Sequence, residues 1–289
     1  MPLSKQEWLA LEKKANDLRK LCLDTTYWAG SAHIGGGMSM MDMLTILYHK
    51  YMNIDVANPD WEDRDRLIVS KGHAGVAYAA ALCDLGFNDV EQLKTFNLTN
   101  SKMGIHLDSN KVVGVDASTG SLGHGLPIAL GTALAAKVLG KTYKTFCILG
   151  DGECDEGSNW EAAMAAAHFK ADNLITFVDR NGCMIDGKTE DVMSLEPFAD
   201  KWKAFGFIVK EVDGQNMKEL AEAIDFAYEA KGAPVVIIAK TVKGAGVDYM
   251  EDDYKWHYGA IDDDKYEKAK ASLAKYYEVR KERAEKEGA

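Results

Sequence analysis

With 289 residues, 47% of them hydrophobic, the chain is large enough for one large domain or two small ones and has the balance of an ordinary globular protein. A net charge of -11 argues against a general nucleic-acid binder, no apolar run is long enough to cross a bilayer, and the charged N-terminus lacks a signal-peptide core. Five cysteines (Cys22, Cys83, Cys147, Cys154 and Cys183) without CxxC spacing fit a reduced, cytoplasmic setting with neither a disulfide framework nor a zinc site.

In chain order, apolar residues at helical spacing (Leu9, Leu11, Ala15, Leu18, Leu21, Cys22) predict a helix over 4–28. The three glycines of SAHIGGGMSM are expected to break it, and a helix resumes in SMMDMLTILYHKYM with Ser39 as N-cap. RDRLIVS reads as a short strand. KGHAGVAYAAALCDLG is a loop turning into a helix of small residues. Residues 88–119 carry turn signals and little period, and are expected to wrap a site. From Gly120 a glycine turn feeds a helix. Strands KTFCILGD, LITFVDRN, FGFIVKEVDG and PVVIIAKT then alternate with the helices EGSNWEAAMAAAHFK and MKELAEAIDFAYEA. This alternation predicts an α/β fold: a parallel, doubly wound sheet flanked by helices, in one domain over 1–289 with helical margins. The tail 262–289 is expected to be a charged helix packed by one face.

Ligands bind at the carboxyl ends of parallel strands. Asp151 and Asn181 lie at two such ends, 30 residues apart, which is the length of one strand-helix-strand unit. Gly-Asp-Gly alone fits an ordinary strand-to-helix turn. The pair at this spacing favours a carboxylate and an amide oxygen converging on Mg²⁺, completed by phosphate oxygens, a backbone carbonyl and water. Gly150 and Gly152 permit close approach of a phosphate, and a helix beginning near Glu153 would direct its N-terminus at the anion.

The GDG…N pattern resembles the thiamine-diphosphate signature. That resemblance implies thiamine diphosphate held through Mg²⁺ (with Ca²⁺ or Mn²⁺ as substitutes), metal ligation by Asp151, Asn181 and the main-chain carbonyl of Cys183, and Ile185 against the cofactor ring. Four histidines then sit in loop or glycine-rich segments: SAHIGGG (His33), SKGHAG (His73), GIHLD (His106) and KWHYGA (His257). With RDRLIVSKGHAG, STGSLGHGLPIALGTALA and KTVKGAGV, these segments resemble transketolase in order along almost the whole chain. The resemblance places His73 and His257 on the diphosphate side and His33 and His106 on sugar hydroxyls, and it implies that His33, His106 and His257 handle hydroxyl protons and orient the sugar. It places Gly120 and Leu122 beside the aminopyrimidine, and Glu156 in a proton network linking paired cofactor sites. The chain departs from the family pattern at Ile34, at Leu107-Asp108 and at His124.

A full-length transketolase is more than twice as long, and its second domain carries the glutamate that acts on the aminopyrimidine. The resemblance therefore implies the N-terminal subunit of a split transketolase, moving a two-carbon ketol unit between sugar phosphates only with a C-terminal subunit, in an α2β2 heterotetramer. Met1 and the helical tail are read as the ends of a complete chain. The alternatives are a deoxyxylulose-phosphate synthase-like protein, the α chain of a 2-oxoacid dehydrogenase, and a cofactor-binding regulatory subunit. The SKGH and SAHIGGG segments favour transketolase over the first two, and the intact set of Asp151, Asn181 and four histidines disfavours the third.

Overall fold

The computed structural model of the protein describes residues 3–288. The expected domain bounds at Met1 and Ala289 lie outside the described residues. Helix α1 (Lys5–Ala29) starts at a capping box: the Ser4 hydroxyl accepts from the Glu7 N–H, and the Glu7 carboxylate accepts from the Ser4 N–H at 2.9 Å. It stops at Gly30, whose φ of +79° ends the helix in the left-handed region. Next come β1 (Ser31–Ala32), α2 (Ile34–Ser39) and α3 (Met41–Ile46), the last continued by a π turn over Leu47–Tyr51. Then follow β2 (Arg66–Val69), α4 (Gly75–Asp84), α5 (Gly125–Leu139), β3 (Thr145–Gly150), α6 (Gly157–His168), β4 (Leu174–Arg180) and α7 (Thr189–Val192). The chain continues through α8 (Phe198–Ala204), β5 (Ile208–Asp213), α9 (Met217–Glu229), β6 (Val235–Lys240), β7 (Gly259–Ala260) and α10 (Asp263–Glu287).

Five strands form one parallel sheet in the order β2-β3-β4-β6-β5. Alternate side chains supply two cores. Phe146, Ile148, Ile175, Phe177, Val235 and Ile237 face α1–α4, α9 and α10. Cys147, Leu149, Leu174, Val178, Val236 and Ile238 face α5, α6 and α8. Burial on both faces is why these strands read as continuous apolar runs rather than alternating ones. The doubly wound parallel sheet expected from the sequence is therefore present. So is the one-faced tail helix: Ala269, Leu273, Arg280 and Ala284 of α10 are buried, chiefly against α1.

Two local expectations fail. Gly35, Gly36 and Gly37 do not break the chain; they form half of α2, and Ser39 is its last residue rather than the N-cap of the next helix. Close packing overrides glycine's poor helix propensity here. A Cβ on Gly37 would lie 3.2 Å from the Ala77 Cβ, and one on Gly36 3.2 Å from the Lys71 Nζ. Likewise, no α-helix begins near Glu153. Gly152–Asp155 is a 3₁₀ turn and α6 starts at Gly157. The 88–119 segment is irregular apart from a 3₁₀ turn at Val90–Thr95, but it does more than wrap a site. Leu93, Phe96, Met103, Leu107 and Val112 plug the core beside α4.

Candidate functional site

The carboxyl ends of four sheet strands open on one cavity. β2 delivers Lys71 and His73; β3 delivers Gly150 to Glu153; β4 delivers Asn181, Cys183, Met184 and Ile185; β6 delivers Lys243. His33, Gly120, Leu122 and His257 complete the wall. Of the residues expected at a site, His33, His73, Gly120, Leu122, Gly150, Asp151, Gly152, Asn181, Cys183, Ile185 and His257 line this one cavity. His106 is exposed at its edge, its ring so close to Gly120 that a Cβ there would lie 2.5 Å from the imidazole Cδ2. Glu156 stands apart. It is exposed, outside the cavity lining, and packed under Gly123.

β3 and β4 are hydrogen-bonded neighbours, so Asp151 and Asn181 converge as their spacing predicts. The buried Asp151 carboxylate accepts from the Gly182 N–H at 2.6 Å and from its neighbour Gly152 at 2.9 Å. Burial, and then the nearby Asp179 carboxylate, push the Asp151 pKa up, against those N–H groups and Arg180. The same carboxylate pairs with the Arg180 guanidinium, whose Nη1 lies 3.4 Å away. The Asn181 Oδ1 accepts from the Cys183 N–H at 3.1 Å, and the Cys183 carbonyl accepts from the Lys243 Nζ at 3.3 Å. The Cys183 thiol faces elsewhere, 3.4 Å from the Lys188 Nζ. Carboxylate, amide and main-chain oxygens are hard donors suited to Mg²⁺. No group of three or more His, Cys, Asp or Glu side chains poised for a metal occurs among the described residues. A cation here would thus take oxygens from a bound anion as well.

The floor holds two buried lysines that the sequence motifs do not single out. Lys71 pairs with the fully buried Asp179 and donates to the Gly36 carbonyl at 3.0 Å. Burial opposes ionisation of Asp179, but Lys71, with hydrogen bonds from Ser39 and Thr241, holds its carboxyl below the ordinary range. Lys243 is 1% exposed and lies 3.2 Å from the His257 Nδ1, and no carboxylate forms an ion pair with it among the described residues. Burial, then Lys71, drive its pKa down to about 8. Glu153 is a third such residue. It is buried and accepts from the Ser70 hydroxyl, the Gly123 N–H at 2.9 Å and the Gly150 N–H at 3.0 Å, so it knits three cavity loops together. Lys71, Lys243 and Asp179 each have a visible signal: a charged residue inside a glycine-rich or apolar run, as in SKGHAG, KTVKGAG and LITFVDR.

Three imidazoles cluster above this floor. His33, His73 and His257 have ring centroids 5.0–5.3 Å apart. Burial first, and the lysines with it, lower all three: His33 to about 4 through burial, His106 and Lys243, His257 to about 3 through burial and Lys243, and His73 further still. At neutral pH they are uncharged donors and acceptors. Lys243 and the three imidazoles are all pushed toward neutrality, chiefly by burial, and a bound diphosphate would favour their charged forms.

The family description "Transketolase, thiamine diphosphate binding domain" matches residues 11–286. The chain is 41% identical over 270 residues to the 6-deoxy-6-sulfo-D-fructose transketolase subunit SqwG of a Clostridium species, covering 93% of this chain and 98% of that protein. It is 40% identical over 263 residues to one of the subunits of the apulose-4-phosphate transketolase of Phocaeicola vulgatus, covering 91% and 92%. Among solved structures, Campylobacter jejuni transketolase superposes with a TM-score of 0.86 at 31% identity, covering 95% of this chain but only 45% of that one.

Proposed function

This chain belongs to the transketolase family, and from that membership we propose that it is the thiamine-diphosphate-binding, N-terminal subunit of a two-chain transketolase. It would act with a C-terminal subunit in an α2β2 heterotetramer in the cytoplasm, on a ketose phosphate donor and an aldose phosphate acceptor. No helix among the described residues is long and apolar enough to cross a membrane. We take residues 1–289 as one diphosphate-binding domain. The observation that carries the reading is the convergence of Asp151 and Asn181, at the tips of paired strands, on a cavity floor carrying Lys71 and Lys243. The relatives of matching length that are described as transketolase subunits support the division into two chains.

In this reading Asp151, Asn181 and the Cys183 carbonyl hold Mg²⁺, and Lys71, Lys243, His73 and His257 hold the diphosphate with the Gly150–Gly152 backbone. Gly120, Leu122 and Ile185 border the cofactor rings. When bound, thiamine diphosphate supplies the electron sink for cleavage of a ketose carbon–carbon bond. His33 and His106 orient the sugar hydroxyls and, being uncharged at neutral pH, can take a proton from one or return it. Glu156, exposed and outside the cavity, is assigned to contacts between paired cofactor sites in the assembly. The two cavity lysines both lie on the buried floor, so the anionic end of a sugar phosphate is left to the partner chain.

The test is reconstitution. This chain alone should show little or no ketol transfer, and mixing it with the C-terminal subunit, Mg²⁺ and thiamine diphosphate should create activity on xylulose 5-phosphate and ribose 5-phosphate. Robust turnover by the single chain would refute the two-chain reading.

A further inference from the structure

We propose that Tyr258 is a positioning residue that clamps the His33 imidazole in the orientation it needs at the cavity mouth; the consequence for catalysis rests on the transketolase reading above. Strands β1 and β7 pair antiparallel, with Ser31 opposite Ala260 and Ala32 opposite Gly259. Continuing that register by one residue sets Tyr258 opposite His33. Side chains alternate faces along a strand, so Ser31 and His33 share the face on which Tyr258 lies. The contacts follow this geometry. The Tyr258 ring meets the His33 ring edge-on, centroids 4.8 Å apart at 68°, and its hydroxyl lies 2.7 Å from the Ser31 Oγ.

His33 depends on this packing because its buried Nδ1 has no hydrogen-bond partner among the described residues. An imidazole in a functional site is ordinarily fixed by a hydrogen bond at the nitrogen remote from its work. Here the His33 ring packs instead against the rings of His73, His257 and Tyr258. The first two belong to the proposed diphosphate side and respond to its charge. Tyr258, 42% exposed, is the contact independent of it. Its own placement is rigid. The next residue, Gly259, has no room for a side chain, since a Cβ there would lie 2.6 Å from the Trp256 ring, and the Trp256 carbonyl packs onto Gly35. The charged and titratable groups that influence His33 are His106 and Lys243, with His73 and His257 beside it, and they are the same in every variant below.

The experiment has two arms. In the isolated chain, histidine side-chain NMR follows the His33 titration. Tyr258→Ala should move the His33 midpoint up toward the ordinary imidazole range, because the ring that shields it is gone. Tyr258→Phe and Ser31→Ala keep the ring contact and should give smaller changes, similar to each other. In the reconstituted two-chain enzyme, Tyr258→Ala should raise KM for the ketose phosphate about 10-fold, the upper scale of an edge-on ring pair. Thiamine diphosphate affinity should hold within about 2-fold. Tyr258→Phe should recover most of the loss in KM. An unmoved His33 midpoint in Tyr258→Ala overturns the clamp, as does an equal loss in kcat, KM and cofactor affinity. A shifted midpoint combined with a wild-type mixture inactive in ketol transfer supports the clamp and defeats the functional reading instead.

Discussion

Two regions of the molecule bury charge, and they do it in opposite ways. Between α1, α3 and α10, Arg19 and Arg280 meet Asp42, and Arg280 also meets Glu12, all four side chains buried. Two cations face two acids. Burial works against the Asp42 carboxylate, but the two guanidinium groups outweigh it and hold its pKa down to about 2, and Arg280 is raised well above its usual value. Both shifts favour the charged form. At the strand tips the reverse holds: Asp151 is pushed up, Lys243 and the three histidines down. The difference separates an ion cluster whose charges are matched within the chain from a candidate site whose charged groups are held toward neutrality.

Breaking the complete cluster should cost most. Arg280→Ala leaves Glu12 and one face of Asp42 buried without their partner, and should destabilise the chain by about 3–5 kcal/mol. Chemical denaturation reads this directly, and thiamine diphosphate binding by the remaining folded fraction should be unchanged. Asp151→Ala should act mainly on binding: a smaller loss of stability, from the Gly182 N–H and the Arg180 contact it leaves unpartnered, and Mg²⁺-dependent thiamine diphosphate affinity down by at least about 100-fold, since groups behind metal ligands alone are worth about 10–100-fold. Calorimetry on the assembled complex measures it. Unchanged cofactor affinity would remove Asp151 from the metal.

Lys243→Met keeps the length of the side chain and removes its charge. It should weaken diphosphate binding about 10-fold, the scale of one charge-assisted contact, while the His257 midpoint rises because a repelling cation has gone. Wild-type binding carries a related signature. A diphosphate raises the Lys243 pKa from about 8, so the complex should take up protons near pH 8, visible as a buffer-dependent binding enthalpy.

The last effect is on stability with pH. Burial in the folded chain lowers His33 to about 4 and His257 to about 3, against about 6.5 when unfolded. Between those values these two imidazoles bind more protons in the unfolded state, so their contribution to stability should rise with pH from about 3 to about 6.5 and level off above, against the opposite contribution of the raised Asp151 and Glu153 carboxyls. His257→Asn should flatten that rise, in melts of the isolated chain across the same range. No flattening would mean that the buried imidazole does not weigh on folding.

Much of this is legible in the sequence because it rests on local periodicity and short spacing. The apolar runs ending in Gly150-Asp151 and Arg180-Asn181 announce buried parallel strands, and one strand-helix-strand unit sets their tips side by side. The glycine triplet at 35–37 reads as a break, wrongly, because its helix is imposed by neighbours distant in sequence, Ala77 and Lys71. The pairing of Asp179 with Lys71 is hidden for the same reason. They lie 108 residues apart, and neither carries a local sign of its partner.

The sequence by itself determined the sheet and its helices, the two strand tips and the histidines that accompany them, since periodicity and turn chemistry act over a few residues. The tertiary structure alone decided which charges found partners. Lys71 is neutralised by Asp179 while Lys243, equally buried, is left against His257 and the Cys183 carbonyl. It also decided that Glu156 stands exposed while Glu153 knits the loops, and that Tyr258 crosses onto His33. Those outcomes depend on the low dielectric and fixed distances of a packed interior, which exist only once segments far apart in the chain have met.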